Sequence, residues 1–188
     1  MSEMQRVGEW QPGRFTVLLW AAFNVVLFGL GLGLFLGLWT SRWGDAEIEV
    51  SGVEMLVGMV VLLALTALLL ALHELIHGAV IKAYGGSLQF GFTMVGKVMP
   101  ALSCISPGAR FSRWQFILIA LAPGVVLTLV TVLVIWITPL GGWLVLPSAL
   151  HLGGCVGDIA LAWKALEQPS GTLIEDRQSG LRFYRRGG

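Results

Sequence analysis

Charge is what this chain has least of. Lys, Arg, Asp and Glu together make up 12% of its 188 residues, against 56% hydrophobic ones, and the net charge is +1. Mean hydropathy is +0.80. That balance excludes a disordered chain and an ordinary water-soluble domain, and places the protein among membrane proteins, with a length suited to a single domain. No basic stripe with interleaved aromatics is present, so nucleic acid is excluded as a partner. Internal repeats and phosphate-cradling glycine loops are also missing. Only two cysteines occur, Cys104 and Cys155; both map to the cytoplasmic half, where disulfides are disfavoured, and are read as packing residues.

Long apolar runs are what the chain has instead. Four are expected to span: Phe15 to Trp39, Glu54 to Lys82, Trp114 to Ile137 and Trp143 to Trp163. Each supplies the roughly 20 residues that a bilayer core requires. The first is too long for a signal-peptide core of about 7–15 residues and lacks a convincing cleavage site, so it is kept as a permanent span. The expected fold is an all-α membrane protein, a four-transmembrane-helix bundle. Between spans two and three, Leu88, Phe90, Phe92 and Met94 alternate with Gln89, Gly91 and Thr93, which is a strand period. A short β-hairpin-like insert over about 87–105 follows, with Pro100 weakening its second strand. Its edge could hold an extended substrate by strand addition, or the hairpin could simply cover the site. The tail, 167–188, is read as a loosely ordered cytoplasmic extension.

Charge asymmetry orients the spans. The connection between the first two carries Asp45, Glu47, Glu49 and Glu54 against Arg42 alone. The connection between the second and third carries Lys82, Lys97, Arg110 and Arg113 and no acid. Arg6 and Arg14 precede the first span, and Arg177, Arg182, Arg185 and Arg186 follow the last. The positive-inside rule therefore puts both termini and the middle loop in the cytoplasm of a multi-pass cell-membrane protein. Trp39, Trp43, Trp136 and Trp143 at one level, with Trp114 and Trp163 at the other, fit an aromatic belt.

Chemistry is concentrated at one place. His73-Glu74-Leu75-Ile76-His77 ends the uncharged run Met55 to Leu72. On a helix the two histidines project from one face a turn apart, so both imidazoles can hold one Zn²⁺ while Glu74 reaches a metal-bound water as general base. Ionisable groups beside hydrocarbon are expensive and are read as functional by default; the bland alternative is a His–Glu cluster that pairs internally. A catalytic zinc needs a third protein ligand and an open position. His77 lies five residues before Lys82 and Asp158 five before Trp163, each about 7–8 Å from the same boundary at 1.5 Å per residue. Asp158 is also the only acid of its span, where an unpaired carboxylate costs about 2.5–3.5 kcal/mol. Asp158 is therefore the expected third ligand, against a salt bridge to Lys164 or a structural His–Asp pair.

His151 is the rival third ligand. It lies seven residues before Asp158, about 10 Å deeper, so it is read as a helix-packing hydrogen bonder or a group contacting substrate. Gly153, Gly154 and Gly157 are expected to let the fourth span approach the motif helix. Gly29, Gly31, Gly33 and Gly37, which contain a GxxxGxxxG spacing, give the first span a packing or dimer face, through which a homo-oligomer could form, although packing inside the monomer is preferred. Asn24 reads as interhelical glue, and Pro123-Gly124 as a kink in the third span.

The order of these features resembles a known architecture. His73-Glu74-Leu75-Ile76-His77-Gly78 on a span, a hairpin-like insert, a span with Ala122-Pro123 and then Gly157-Asp158 on the next looks like the site-two proteases, and more closely like a family of small membrane zincin peptidases. The resemblance covers roughly residues 60–165. It implies a three-helix catalytic core, zinc held by His73, His77 and Asp158, and Glu74 as base. Asp158 is followed by Ile159, and Pro147 lies too far upstream for the site-two pattern, so substrate handling is not implied. The expected function is a membrane-embedded zinc metalloprotease hydrolysing a peptide bond of a membrane-associated substrate near the cytoplasmic face. Two other readings are a non-catalytic metal-binding or chaperone-like membrane protein and a haem protein using His151.

Overall fold

The computed structural model describes residues 4–44, 52–95, 99–177 and 180–187. Four helical stretches among them are long and apolar enough to cross a membrane: Arg14–Trp43, Gly52–Ala83, Arg113–Ile137 and Pro139–Leu166. Only 17%, 11%, 28% and 44% of their most apolar windows are covered by protein. Leu, Val and Phe side chains line most of the remainder, so these helices need an apolar medium around them.

The first two are single helices, α1 (Arg14–Trp43) and α2 (Gly52–Ala83). A third, α3 (Arg113–Ile137), continues through Pro123. The fourth stretch is not one helix. It starts as a 3₁₀ turn, Pro139–Leu144, continues as α4 (Val145–Gly154), breaks at Cys155 and resumes as α5 (Val156–Leu166).

Contacts divide the chain into two compact units. The first comprises Met1–Ala21, Glu74–Pro123 and Gly157–Gly188; the second comprises Ala22–His73 and Gly124–Val156. The first unit holds all the strands, so the all-α expectation is corrected here. Strand β1 (Met4–Trp10) pairs antiparallel with β6 (Gly180–Arg186), β6 with β5 (Leu173–Arg177), and β5 with the short β4 (Phe111–Ser112), in the order β1-β6-β5-β4. The tail therefore supplies the two inner strands of the sheet and is not a loose extension. Ile174, Leu181 and Phe183 from the sheet bury against Phe111, Phe116, Ile119, Ala162 and Ala165. That apolar face, alternating with Arg177 and Arg182, is why a charged tail orders. Beneath it, buried Glu175 accepts a 2.6 Å hydrogen bond from the Tyr184 hydroxyl and a 3.0 Å one from Arg177.

The expected hairpin is present. Strands β2 (Gln89–Val95) and β3 (Met99–Ile105) pair antiparallel from Gln89–Ile105 to Val95–Met99, with Pro100 opposite Met94; residues 96–98 lie outside the described residues. Helix α2 is stopped just before it. Gly85, at φ +80°, takes the left-handed conformation that a side chain disfavours. Its N–H bonds Lys82 O at 2.9 Å and that of Gly86 bonds Ile81 O at 3.0 Å, a paired C-terminal closure. The motif thus sits in the last turns of α2, and the chain turns straight into the hairpin. A Cβ on Gly78 would meet Cys104 Sγ and Phe90 Cζ, both at 3.4 Å, so the hairpin packs directly beside His77.

Among the described residues, the second unit holds helices and no strand. Phe35, Ile135, Val145 and Ala149 form its core, and Thr131 and Ser148 hydroxyls bond at 2.8 Å inside it. Indole N–H groups of Trp39 and Trp43 donate to Pro139 O and Ile135 O at 2.9 and 2.8 Å. Gly31 is the packing glycine of α1, facing Ala149 and Leu152, whereas Gly29, Gly33 and Gly37 face open space. Packing inside the chain thus holds at Gly31 and, among the described residues, is corrected at the other three. Gly153 packs on Asn24 and Phe28 of α1, and Gly154 and Gly157 meet nothing within 4 Å. The small residues around Asp158 therefore do not bring that segment onto the motif helix.

Candidate metal centre

His77 is held at both ring nitrogens. It is 8% exposed, and its Nδ1 lies 2.8 Å from Ile119 O on α3. A carbonyl only accepts, so Nδ1 carries the proton and donates. The lone pair is then on Nε2, which faces Asp158 Oδ1 at 3.5 Å. That separation is longer than a charge-assisted hydrogen bond of about 2.7–2.9 Å. It is close to the roughly 3.3 Å between two donors bound about 2.0–2.1 Å from one tetrahedral ion. The donor set fits a divalent cation on both counts. Motifs 81 positions apart in the chain meet here within one unit.

Asp158 owes its place to the break at Cys155. The interruption makes Val156 the start of a new helix and Asp158 a first-turn residue of α5. The alternative salt bridge to Lys164 does not form, because Lys164 bonds Glu167 at 2.8 Å.

His73 lies one turn before His77, and α2 runs unbroken between them. Within the first unit, the donor atoms of His77 and Asp158 lie within 4.8 Å of each other. Glu74, the neighbour of His73, is half-buried on the same helix. In the second unit, His73 Nδ1 lies 2.9 Å from His151 Nε2. The depth argument that set His151 apart from both motif histidines is corrected by this contact with His73. At 2.9 Å the two rings leave no room for a haem iron between them. Cys155 Sγ lies 3.8 Å from His151 Nε2 and 3.3 Å from His151 O, so His73, His151 and Cys155 form a second close group of donors.

Asp176 on β5 escaped the sequence reading, because an acid in a mixed-charge tail carries no pattern. Burial pushes its carboxyl up to about 7; His77 opposes this, and the negative charges of Asp158 and Glu74 add to it. Asp176 also borders a cavity of about 360 Å³ with Glu9, Gln11, Gln89, Arg177 and Arg182. It is thus the tail residue that senses the metal-centre groups electrostatically.

A family model described as "Putative zincin peptidase" matches residues 66–173. The chain belongs to this family. The match takes in the motif helix, hairpin, α3 and the segment carrying Asp158, and the zincin description suggests a zinc metallopeptidase. No curated protein and no solved structure matches the chain. For a zincin, the protonated Nδ1 and open Nε2 of His77 are the required state of a metal-binding histidine.

Proposed function

We propose that the protein is a membrane-embedded zinc metalloprotease that hydrolyses a peptide bond of a membrane-associated substrate near the cytoplasmic face. The observation that carries this reading is the His77–Asp158 approach at 3.5 Å, with Nδ1 of His77 committed to Ile119 O. His73, His77 and Asp158 would hold the ion, leaving a position open for substrate or water. When bound, zinc supplies Lewis acidity toward a scissile carbonyl and lowers the pKa of water. Glu74 takes the proton of the attacking water and delivers it to the leaving amine, a general-base and then general-acid role. Asp158 lends a negative charge that offsets the cation. Ile119 O orients His77 and increases its basicity.

Pairing of β1 with β6 supports placing both termini on one side, as an even number of crossings requires. The positive-inside charges make that side cytoplasmic. On the hairpin, Phe90, Phe92 and Leu102 are each more than half exposed. An apolar ribbon beside the metal centre suits a substrate segment arriving from the bilayer and held extended by strand addition.

Metal analysis and a cleavage assay on the full chain test the proposal together. Glu74→Gln is expected to keep zinc and lose cleavage, whereas His77→Ala and Asp158→Ala lose both. Cleavage surviving in Glu74→Gln would rule out the mechanism. Stoichiometric zinc without cleavage of any substrate by the wild type would favour the non-catalytic reading.

A further inference from the structure

His73 and His77 use their second nitrogens in parallel but against different partners. His77 donates from Nδ1 to a backbone carbonyl, which fixes the proton's owner. His73 Nδ1 meets another imidazole, His151 Nε2, at 2.9 Å. The rings are edge-on, with centroids 5.1 Å apart and planes at 68°. One proton lies between the two nitrogens, and its owner decides the chemistry. If His73 Nδ1 holds it, His73 Nε2 keeps its lone pair and can bind a cation. If His151 Nε2 holds it, neutral His73 carries its own proton on Nε2 and is closed to a cation.

We infer that His151 is a positioning residue for the metal centre: its Nε2 accepts the Nδ1–H of His73 and holds that ring with Nε2 open. The inference rests on the reading of His73 as a metal ligand. His151 is 5% exposed, in an otherwise apolar stretch of α4. An imidazole in such a place is costly unless a partner uses it. Its separation from His73 is that of a hydrogen bond, shorter than the roughly 3.3 Å between two nitrogens on one tetrahedral ion. Cys155, one turn along, lies within 3.3 Å of His151 O, where its S–H can donate. The competing occupant is a cation shared by His73, His151 and Cys155, whose donors also lie within 4.8 Å of each other.

The chain has only three histidines, so ¹⁵N-histidine labelling gives three resolvable rings. In the zinc-loaded full chain in detergent, His73 and His77 are each expected to be protonated at Nδ1 and metal-bound at Nε2. His151 is expected to be protonated at Nδ1 and not metal-bound. A proton on His73 Nε2, or a ring nitrogen of His151 on the metal, overturns the inference. This wild-type measurement decides even if a variant fails to fold. His151→Phe is expected to weaken zinc binding 10- to 100-fold. His151→Gln, whose amide oxygen can accept the same hydrogen bond, is expected to recover most of that loss. Wild-type affinity in His151→Phe, or no recovery in His151→Gln, counts against the role. Failure of the underlying reading looks different: His77→Ala would then bind zinc as tightly as the wild type.

Discussion

Replacing Asp176 by Asn tests whether the tail strand is coupled to the metal-centre groups. In the folded protein the Asp176 carboxyl titrates at about 7 instead of 3.8, chiefly because burial penalises its charge. The sign follows from linkage. Between pH 3.8 and 7 the folded state holds a proton there that the unfolded chain has released, so stability falls as pH rises through this window. Below 3.8 both states are protonated and nothing is lost. Above 7 the full penalty applies. A shift of about 3 units at 1.36 kcal/mol each gives a penalty on the order of 4 kcal/mol. Asn keeps the shape and has no charge, so Asp176→Asn is expected to match the wild type at pH 4 and exceed it at pH 8, with the gap opening between. Thermal unfolding of the full chain in detergent across pH 4–8 reads this directly. A divalent cation near His77 and Asp158 would favour the ionised Asp176, so zinc should narrow the gap at pH 8. Parallel curves for wild type and variant across the window would refute the argument.

Other expectations concern single groups. Cys104 is buried and its thiol is pushed up to about 11, by burial first and then by Glu74 and Asp176. Maleimide should therefore label it slowly at pH 7.5 in the folded chain and rapidly after denaturation, as read by mass spectrometry. Tyr184→Phe removes the 2.6 Å donor to buried Glu175. It should cost about 1–3 kcal/mol, seen as a lowered unfolding temperature. Gly78→Leu drives a side chain into Cys104 and Phe90. It is expected to displace the hairpin and reduce cleavage while zinc content persists; undiminished cleavage would show that the hairpin has no part in substrate handling.

The four spans were legible because hydrophobic runs of that length have few other readings, and their limits hold to within a few residues for the first three. The hairpin was legible through its alternation. The terminal sheet was not. Its strands lie more than 160 positions apart in the chain, β1 against β6, and each is too charged to announce burial alone. Only pairing reveals that the apolar residues of β5 and β6 share one face.

At the metal centre, the rise per residue along a helix singled out His77 and Asp158, which lie 3.5 Å apart in the structure. The same ruler misplaced His151. It treated residues 143–163 as one rod, whereas the chain breaks at Cys155 and restarts. That break has a physical consequence beyond the miscount. It leaves His151 on a helix of its own, α4, where its ring meets His73. A continuous helix would hold residues 151 and 158 on one face about 10 Å apart. Gly154 and Gly157 meet no neighbour that would require a glycine. Their low helix propensity is therefore best understood as permitting the interruption. Alanine at both positions is expected to straighten the segment and weaken zinc binding, although neither residue touches a ligand. Unchanged zinc affinity in that double variant would mean that the break is dictated by packing elsewhere.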